Sequence, residues 1–187
     1  YVLSVQQVDD VEISGGRIVG DRIAHTGTTG EWGHGVMVRG ATGITVRNLH
    51  VSQCWGDGIS IGGAKAQGGR IVPSRDVVIA DVVCDGNRRQ GLTIGRPRQV
   101  RVYRSQFVNT GGTLPGCGID VEPGAGDIAQ DVRIEDCLVR GNWGAGIQLY
   151  RRVSDASIRG CTIEENRGDG VVVIGAQDCI VSGNVIR

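Results

Sequence analysis

Apolar and variable residues alternate in short segments along the whole chain, and each segment begins at a glycine. The segments have the form Gly-apolar-variable-apolar, as in "GISI" at residues 58–61. The glycines are Gly35, Gly58, Gly91, Gly118, Gly146 and Gly170. They lie 23, 33, 27, 28 and 24 residues apart, so one short unit is repeated with insertions of variable length. Alternation with a period of two is typical of a β-strand with one buried face.

Two further pairs of inward-facing residues recur in each unit. The second strand is marked by Val11/Ile13, Ile44/Val46, Val77/Ile79, Val100/Val102, Val132/Ile134, Ala156/Ile158 and Cys179/Val181. The third is marked by Leu49/Val51, Val82/Cys84, Ser105/Phe107, Cys137/Val139 and Cys161/Ile163. Three short strands cannot bury an apolar face alone, whereas stacked units bury a continuous apolar column. No helical periodicity interrupts this pattern, so the sequence predicts an all-β, parallel β-helix.

Asparagine recurs at one position of the predicted turns. Asn87, Asn142 and Asn166 each lie four residues before the glycine of their unit, and Cys54 takes the same place. Asparagine tolerates the left-handed backbone of a sharp turn, and stacked amides form hydrogen bonds between coils. We therefore expect these asparagines to be left-handed and stacked.

Two cysteines occupy equivalent inward positions one unit apart. They are Cys137 and Cys161, and we interpret them as a stacked pair of free thiols, because thiols are readily buried and disulfide geometry is restrictive. The chain has six cysteines without a C-x-x-C motif, so neither a zinc site nor a disulfide-rich scaffold is expected.

The repeat resembles that of a known family. Its G-x-[IV]-x-[IV] rhythm followed by Asn is similar, over essentially the whole chain, to the right-handed parallel β-helix proteins of the pectate-lyase-like superfamily. The phrases "TTGEWGHG", "CWGDGI", "NRRQG" and "GIDVEP" resemble an uncharacterised bacterial subgroup. The resemblance implies one right-handed β-helix domain over residues 1–187, with about seven coils including partial ones at the ends. It implies no particular activity, since this scaffold serves lyases, hydrolases, epimerases, tailspikes and adhesins alike.

The composition gives no support for a nucleic-acid or membrane partner. Twenty basic and twenty acidic residues give a formal charge of zero, which offers no general attraction to nucleic acid or anionic membranes. No segment has the length of a membrane span. The chain begins at Tyr1 without a signal-like region, so we expect an excerpt of a longer, secreted or cell-surface protein. The open ends of the β-helix favour the same interpretation or a homo-oligomer.

The repeat also maps the outer surface, because equivalent residues of successive coils lie about 4.8 Å apart. The residues before each glycine form one column: His34, Asp57, Gln90, Cys117, Ala145 and Asp169. The first outward strand positions form a second: Met37, Ser60, Thr93, Asp120, Gln148 and Val172. The next outward positions form a third: Arg39, Gly62, Gly95, Glu122, Tyr150 and Ile174.

These columns predict a groove for a linear glycan along the helix axis. The candidate catalytic residues are Asp57, Asp120, Glu122, His34 and Arg89. The candidate substrate-binding residues are Glu31, Trp32, Trp55, Arg88, Gln90 and Arg39. Asp57 beside His34 is expected to raise the pKa of the imidazole. Gly62 and Gly95 would leave a shallow floor, and the insertions 62–69 and 109–116 would border it.

Two kinds of function remain open. The first is a polysaccharide-active enzyme, and the carboxylates of Asp120 and Glu122, with Cα atoms roughly 7 Å apart along one strand, slightly favour a glycoside hydrolase. A lyase or epimerase would instead abstract the proton next to a uronate carboxylate, which Arg88 and Arg89, or Ca²⁺ on Asp57, Asp120 and Glu122, would neutralise. No other cofactor is indicated. The second is a non-catalytic glycan-binding or tailspike-like module, in which Asp57 simply forms a turn and the other acids are solvated.

Overall fold

Three parallel sheets run along the molecule in a computed structural model that describes residues 1–187. Sheet A contains Leu3–Gln6, Val36–Arg39, Ile59–Gly62, Leu92–Ile94, Ile119–Val121, Ile147–Tyr150 and Val171–Ile174. Sheet B contains Glu12–Ser14, Thr42–Arg47, Ser74–Ala80, Pro97–Tyr103, Ala129–Glu135, Val153–Arg159 and Gln177–Ser182. Sheet C contains Arg17–Val19, His50–Ser52, Val83–Asp85, Gln106–Val108, Leu138–Arg140, Thr162–Glu164 and Val185–Ile186.

The register of the sheets confirms the repeat. Sheet A pairs Ile59 with Leu92, Leu92 with Ile119, and Ile119 with Ile147, the residues that follow four of the repeat glycines. Each sheet has seven strands, one from each successive coil, and the chain visits A, B and C in turn. The prediction of a parallel β-helix of about seven coils is therefore confirmed. The single 3₁₀ turn, Gln67–Gly69, lacks the length and apolar character that a membrane-spanning helix requires.

The core is a continuous apolar column inside the three sheets. Thirty-five buried residues form one cluster, and Phe107 is its largest fully buried side chain. Valine and isoleucine dominate because β-branched side chains pack well on a pleated surface. The core thus extends from coil to coil along the axis, and the inward residue of each strand packs against its counterpart in the next coil.

The asparagine positions are stacked, but their backbone differs from the expectation. The expectation of left-handed backbone at Asn87, Asn142 and Asn166 is wrong. The left-handed residue is the one immediately before each of them, and these residues are Gly86 (φ 63°), Gly141 (φ 69°) and Glu165 (φ 56°). The preceding residue therefore makes the bend, and the asparagine side chain is free to point into the molecule.

Each asparagine side chain bonds the backbone of the preceding coil. The amide oxygen of Asn87 accepts from the Cys54 backbone N–H at 3.0 Å, and its Nδ2 donates to the Val51 carbonyl at 3.2 Å. Asn142 makes the equivalent bonds with the Thr110 N–H at 3.0 Å and the Phe107 carbonyl at 3.1 Å, and its Nδ2 also donates to the Asn166 side-chain oxygen at 2.8 Å. These bonds satisfy backbone groups that the turn would leave buried and unpaired.

The cysteines are free, as expected, and five of the six are buried. Cys137 and Cys161 precede strand residues that are paired in sheet C, so their thiols are neighbours in successive coils. The insertion 62–69 is ordered as part of a hairpin, in which Ala64–Lys65 pairs antiparallel with Ile71–Val72. The insertion 109–116 lies against Trp143, since Gly111 sits directly beneath the indole.

The asparagine bonds generate a stability prediction. Asn87 is fully buried, so Asn87→Ala leaves the Cys54 N–H without a partner and removes one bond to the Val51 carbonyl, and we expect the free energy of unfolding to fall by about 1–3 kcal/mol. Asn184 makes the same two bonds, to the Cys161 N–H and the Ile158 carbonyl, on a half-buried coil where water can replace them. Urea denaturation should show a smaller loss for Asn184→Ala, and equal losses would contradict this explanation.

Candidate functional site

The outer face of sheet A carries the candidate acids on one flank, as the repeat predicts. The register pairs Ser60 with Thr93, Thr93 with Asp120, and Asp120 with Gln148. Asp57 precedes the strand of Ser60 by two residues and lies on the same face, near enough for its charge to affect the pKa of Asp120. The sequence-predicted acids therefore share one surface.

Asp57 is bound by an arginine of the next coil. Only 1% of Asp57 is exposed, and its Oδ1 accepts from Arg89 Nη1 at 3.2 Å. Burial raises the pKa of Asp57 to about 6, while Arg89 opposes the rise. Arg89 Nε also lies 3.1 Å from the exposed Glu31 carboxylate. Asp57 thus fixes the position and charge of Arg89, and this arrangement departs from that of an ordinary turn aspartate.

His34 is a neutral acceptor, contrary to the expectation. The backbone N–H of Asp57 donates to His34 Nδ1 at 2.9 Å, so this nitrogen carries no proton. The Asp57 carboxylate lies 3.4 Å from the same atom, but a neutral ring forms no ion pair with it. Burial, and then the charges of Arg39 and Arg89, lower the pKa of His34 to about 4. The predicted rise in its pKa is wrong, because burial outweighs the attraction of the carboxylate.

Asp120 is sealed beneath two glutamine side chains. Its exposure is 0%, and its oxygens accept from Gln90 Nε2 at 2.6 Å and Gln148 Nε2 at 3.0 Å. Gln90 is fixed in turn, because its Oε1 accepts from the Cys117 N–H at 2.8 Å. Burial, then the charge of Glu122, raises the pKa of Asp120 to about 7. Gln90 therefore positions Asp120 in this structure.

Sequence reasoning left Gln148 out of the site. Gln148 follows Asp120 in the second outer column, so the column itself contained the signal for their contact. A glutamine on an exposed strand face has no chemical signature of its own, however, and only the coordinates show which neighbour its amide bonds.

Three charged groups at the surface have polar atoms within reach of a ligand. Arg39 is half-buried and donates to the Ser60 carbonyl and hydroxyl at 3.0 and 3.1 Å. Its guanidinium occupies the space beside Gly62, so that part of the predicted floor is filled. Arg89 uses Nη1 for Asp57, whereas its Nη2 donates to no protein acceptor. Glu122 is half-buried, and its carboxylate has no hydrogen bond or ion pair with the protein.

Trp55 and Arg88 anchor the excursion of residues 20–34. The Trp55 ring is enclosed between His25, with ring centroids 3.9 Å apart, and the Arg88 guanidinium, 3.9 Å from its centroid. Arg88 donates to the Gly30 carbonyl at 2.7 Å and the Thr28 carbonyl at 3.4 Å. These contacts occupy both indole faces and the guanidinium, so the structure uses the two residues to hold the excursion in place.

Trp32 is the exposed aromatic residue of this region, with 66% of its surface accessible. It borders a pocket of about 540 Å³ between the excursion and the first coil. The pocket also contacts Tyr1, His25, His34 and Trp55. Trp32 therefore stands beside the acidic flank and is available to a ligand.

The calcium alternative would require the three acids to lie around one point. No three acidic, histidine or cysteine side chains come together at a metal-binding distance, so Asp57, Asp120 and Glu122 do not form one ligand set. The Arg89 guanidinium neutralises Asp57, and the two glutamine amides already bond Asp120. The positive charge of this flank is supplied by arginine.

The raised pKa of Asp120 predicts a change of stability with pH. The folded protein favours the protonated acid, so ionising Asp120 between about pH 4 and pH 7 lowers the stability of the wild type. Asp120→Asn stays neutral, and the difference in melting temperature, variant minus wild type, should increase from about pH 5 to about pH 8. Thermal denaturation measures it, with exposed Asp169→Asn as the control that shows no such trend. A constant difference for Asp120→Asn would contradict the raised pKa.

Two curated relatives are similar over nearly the whole chain. The uncharacterized protein YclG of Bacillus subtilis is 28% identical, over 98% of this chain and 33% of its own length. The SPbeta prophage-derived uncharacterized protein YorA of the same organism is 30% identical, over 95% of this chain and 32% of its own length. The chain thus spans about a third of the length of these relatives.

Solved structures share the fold at low sequence identity. The A-module of the Azotobacter vinelandii mannuronan C-5 epimerase AlgE6 matches 99% of this chain and 55% of its own, with TM-score 0.70 and 13% identity. An alginate lyase from Paenibacillus sp. matches 98% of this chain and 69% of its own, with TM-score 0.57 and 17% identity. At these identities the likeness concerns the fold.

The family model described as "right handed beta helix region" matches residues 3–129 and 35–187. These two matches together cover all three sheets. The repeat, the stacked register and this match agree, and the chain belongs to the right-handed parallel β-helix family.

Proposed function

We propose that the chain is the substrate-binding β-helix of an enzyme that acts on an acidic polysaccharide lying along the outer face of sheet A. The observation that carries this proposal is the grouping on one flank of Arg39, Arg89 and Glu122, all reachable from solvent. A linear polymer suits this surface, because each coil advances the same face by about 4.8 Å along the axis.

The two arginines are suited to the carboxylates of uronate residues. A guanidinium donates charge-assisted N–H bonds to a carboxylate, and Arg89 has an uncommitted Nη2 for one such bond. Asp57 holds Arg89 from below, so little side-chain freedom is lost when a ligand binds. The backbone of Arg39 lies two coils earlier, but its guanidinium reaches forward to Ser60 while that of Arg89 reaches back to Asp57, so both arginines face the coil between them and would bind the same stretch of the polysaccharide.

The chemistry best supported is abstraction of the proton next to a uronate carboxylate. Arg89 would neutralise that carboxylate and make the neighbouring proton more acidic, and Glu122 would accept the proton. Glu122 is the candidate acid on this flank whose carboxylate is reachable and free of protein partners. The epimerase and the lyase with the same fold are both enzymes of polysaccharides, which supports this substrate class.

Hydrolysis is the second candidate, and the state of Asp120 favours it. A carboxyl group with a pKa of about 7 is protonated in part at neutral pH and suits a general acid. Asp120 lies two residues from Glu122, about 7 Å along the strand, within the range for an inverting pair. This mechanism requires Gln148 or Gln90 to move, because Asp120 does not reach the surface in the unliganded protein.

Incubation with polyuronates and neutral glycans separates these functions. Unsaturated products detected by ultraviolet absorbance identify a lyase, altered uronate stereochemistry detected by NMR identifies an epimerase, and new reducing ends without unsaturation identify a hydrolase. Binding without any reaction would identify a glycan-binding module and contradict the proposed enzyme.

The same proposal places the protein outside the cell or on its surface, where such polymers occur.

Glu122 provides the matched test of the site. We expect Glu122→Gln to reduce kcat by about a hundredfold or more, because the reaction loses its base, with little change in substrate affinity. Glu135 is a half-buried outward glutamate of sheet B and Glu135→Gln is the control, expected to retain wild-type kcat. If Glu122→Gln kept full activity, the base would have to be assigned elsewhere.

A further inference from the structure

A column of large side chains borders the N-terminal ends of the sheet A strands. Backbone hydrogen bonds set its register, from Gly56 to Gly33, Arg89 to Gly56, Gly144 to Gly116 and Gly168 to Gly144. The residues immediately before these positions form the column, and they are Trp32, Trp55, Arg88, Pro115, Trp143 and Arg167. Aromatic and guanidinium groups therefore follow one another along this edge.

The same tryptophan–arginine stack occurs twice in the column. The Arg88 guanidinium lies 3.9 Å from the Trp55 ring centroid, and the Arg167 guanidinium lies 4.7 Å from that of Trp143. The first stack is covered by the excursion, whose carbonyls accept the N–H groups of Arg88. Nothing covers the second. Arg167 is exposed, its side chain bonds no acidic residue or carbonyl, and 52% of Trp143 is accessible.

The second stack is held in position from below. The Trp143 ring lies directly on Gly111, where a Cβ would come within 2.4 Å of the indole. The backbone of both residues is also fixed. The Trp143 backbone N–H donates to the Thr110 carbonyl at 2.9 Å, and the Arg167 backbone N–H donates to the Asn142 carbonyl at 2.8 Å. The Arg167 guanidinium thus rests on a fixed aromatic surface with its donors turned to solvent.

We infer that Trp143 and Arg167 form a distal subsite that binds a carboxylate-bearing sugar of the polysaccharide. Arg88 has the same geometry, and its guanidinium donates to the Gly30 and Thr28 carbonyls of the excursion. An arginine stacked in this way therefore binds oxygen acceptors where they are present. A uronate carboxylate offers two acceptors in the plane that a guanidinium prefers. The exposed Leu114 of the insertion 109–116, 83% accessible, lies on the same edge and offers an apolar contact for the sugar ring.

The position of this subsite sets a minimum length for an oligosaccharide that contacts both Arg89 and Arg167. Arg167 follows Arg89 by three coils along the same edge, roughly 14 Å, so one disaccharide cannot contact both. The inference rests on the proposed function for the identity of the ligand. It adds that the substrate is recognised as a polymer, well beyond the sugar at Arg89.

Calorimetric binding of oligogalacturonates of increasing length to the intact protein tests this subsite. We expect Arg167→Ala to weaken binding of long oligomers by about tenfold and to leave disaccharide binding unchanged, since a single charge-assisted contact is lost. Trp143→Ala should act in the same direction. Arg159→Ala, at an exposed arginine of sheet B, is the control and should bind every length like wild type.

The outcomes distinguish this inference from the proposed function. Equal affinity of wild type and Arg167→Ala for long oligomers would overturn the subsite, whatever reaction is found. A selective loss for long oligomers would support it even if no polyuronate were converted. Neutral oligosaccharides of the same length serve as the charge control, and an equal loss for them would also overturn a carboxylate-binding role. Unchanged melting temperatures of both variants would exclude unfolding as the cause.

Discussion

Hydrogen bonds between successive coils govern both the fold and the site of this protein. Each strand of sheet A bonds its counterparts in the coils before and after it, so residues far apart in sequence become fixed neighbours about 4.8 Å apart. Thr93, for example, lies between Ser60 and Asp120 because the register of sheet A pairs it with both. A shift of one residue would turn every outer side chain inward. The outer surface of sheet A is therefore as well determined as the core.

Burial changes the chemistry of the acids on this surface. Asp57 and Asp120 belong to outward columns, yet their neighbours cover them, and loss of water raises both pKa values. The two acids are compensated differently, Asp57 by the charge of Arg89 and Asp120 by neutral amides. Their role follows from this difference. In the proposed function, Asp57 holds a cation in place for the ligand, whereas Asp120 retains a proton beneath the surface up to about neutral pH.

The fold and the column order could be read from the sequence, because glycine spacing and period-two alternation follow directly from strand geometry. The left-handed turn residue was misplaced by one position, since both Gly86 and Asn87 suit such a turn and only the backbone decides between them. Accessibility could not be predicted either. The pattern places Asp120 and Glu122 on the same face, but whether Gln148 covers one of them depends on rotamers that no spacing encodes.

The paired tryptophan–arginine stacks differ in whether the rest of the chain covers them. Both stacks occupy the same column and use the same residue types, so local sequence alone assigns them the same role. The difference lies in the insertion between coils, because residues 20–34 fold over Trp55 and supply carbonyls to Arg88. The insertion 109–116 lies beneath Trp143 and does not cover Arg167, whose donors keep water as the partner that a ligand carboxylate would displace in the proposed subsite. Insertions thus decide which positions of a column stay open to solvent, while the repeat decides where those positions lie.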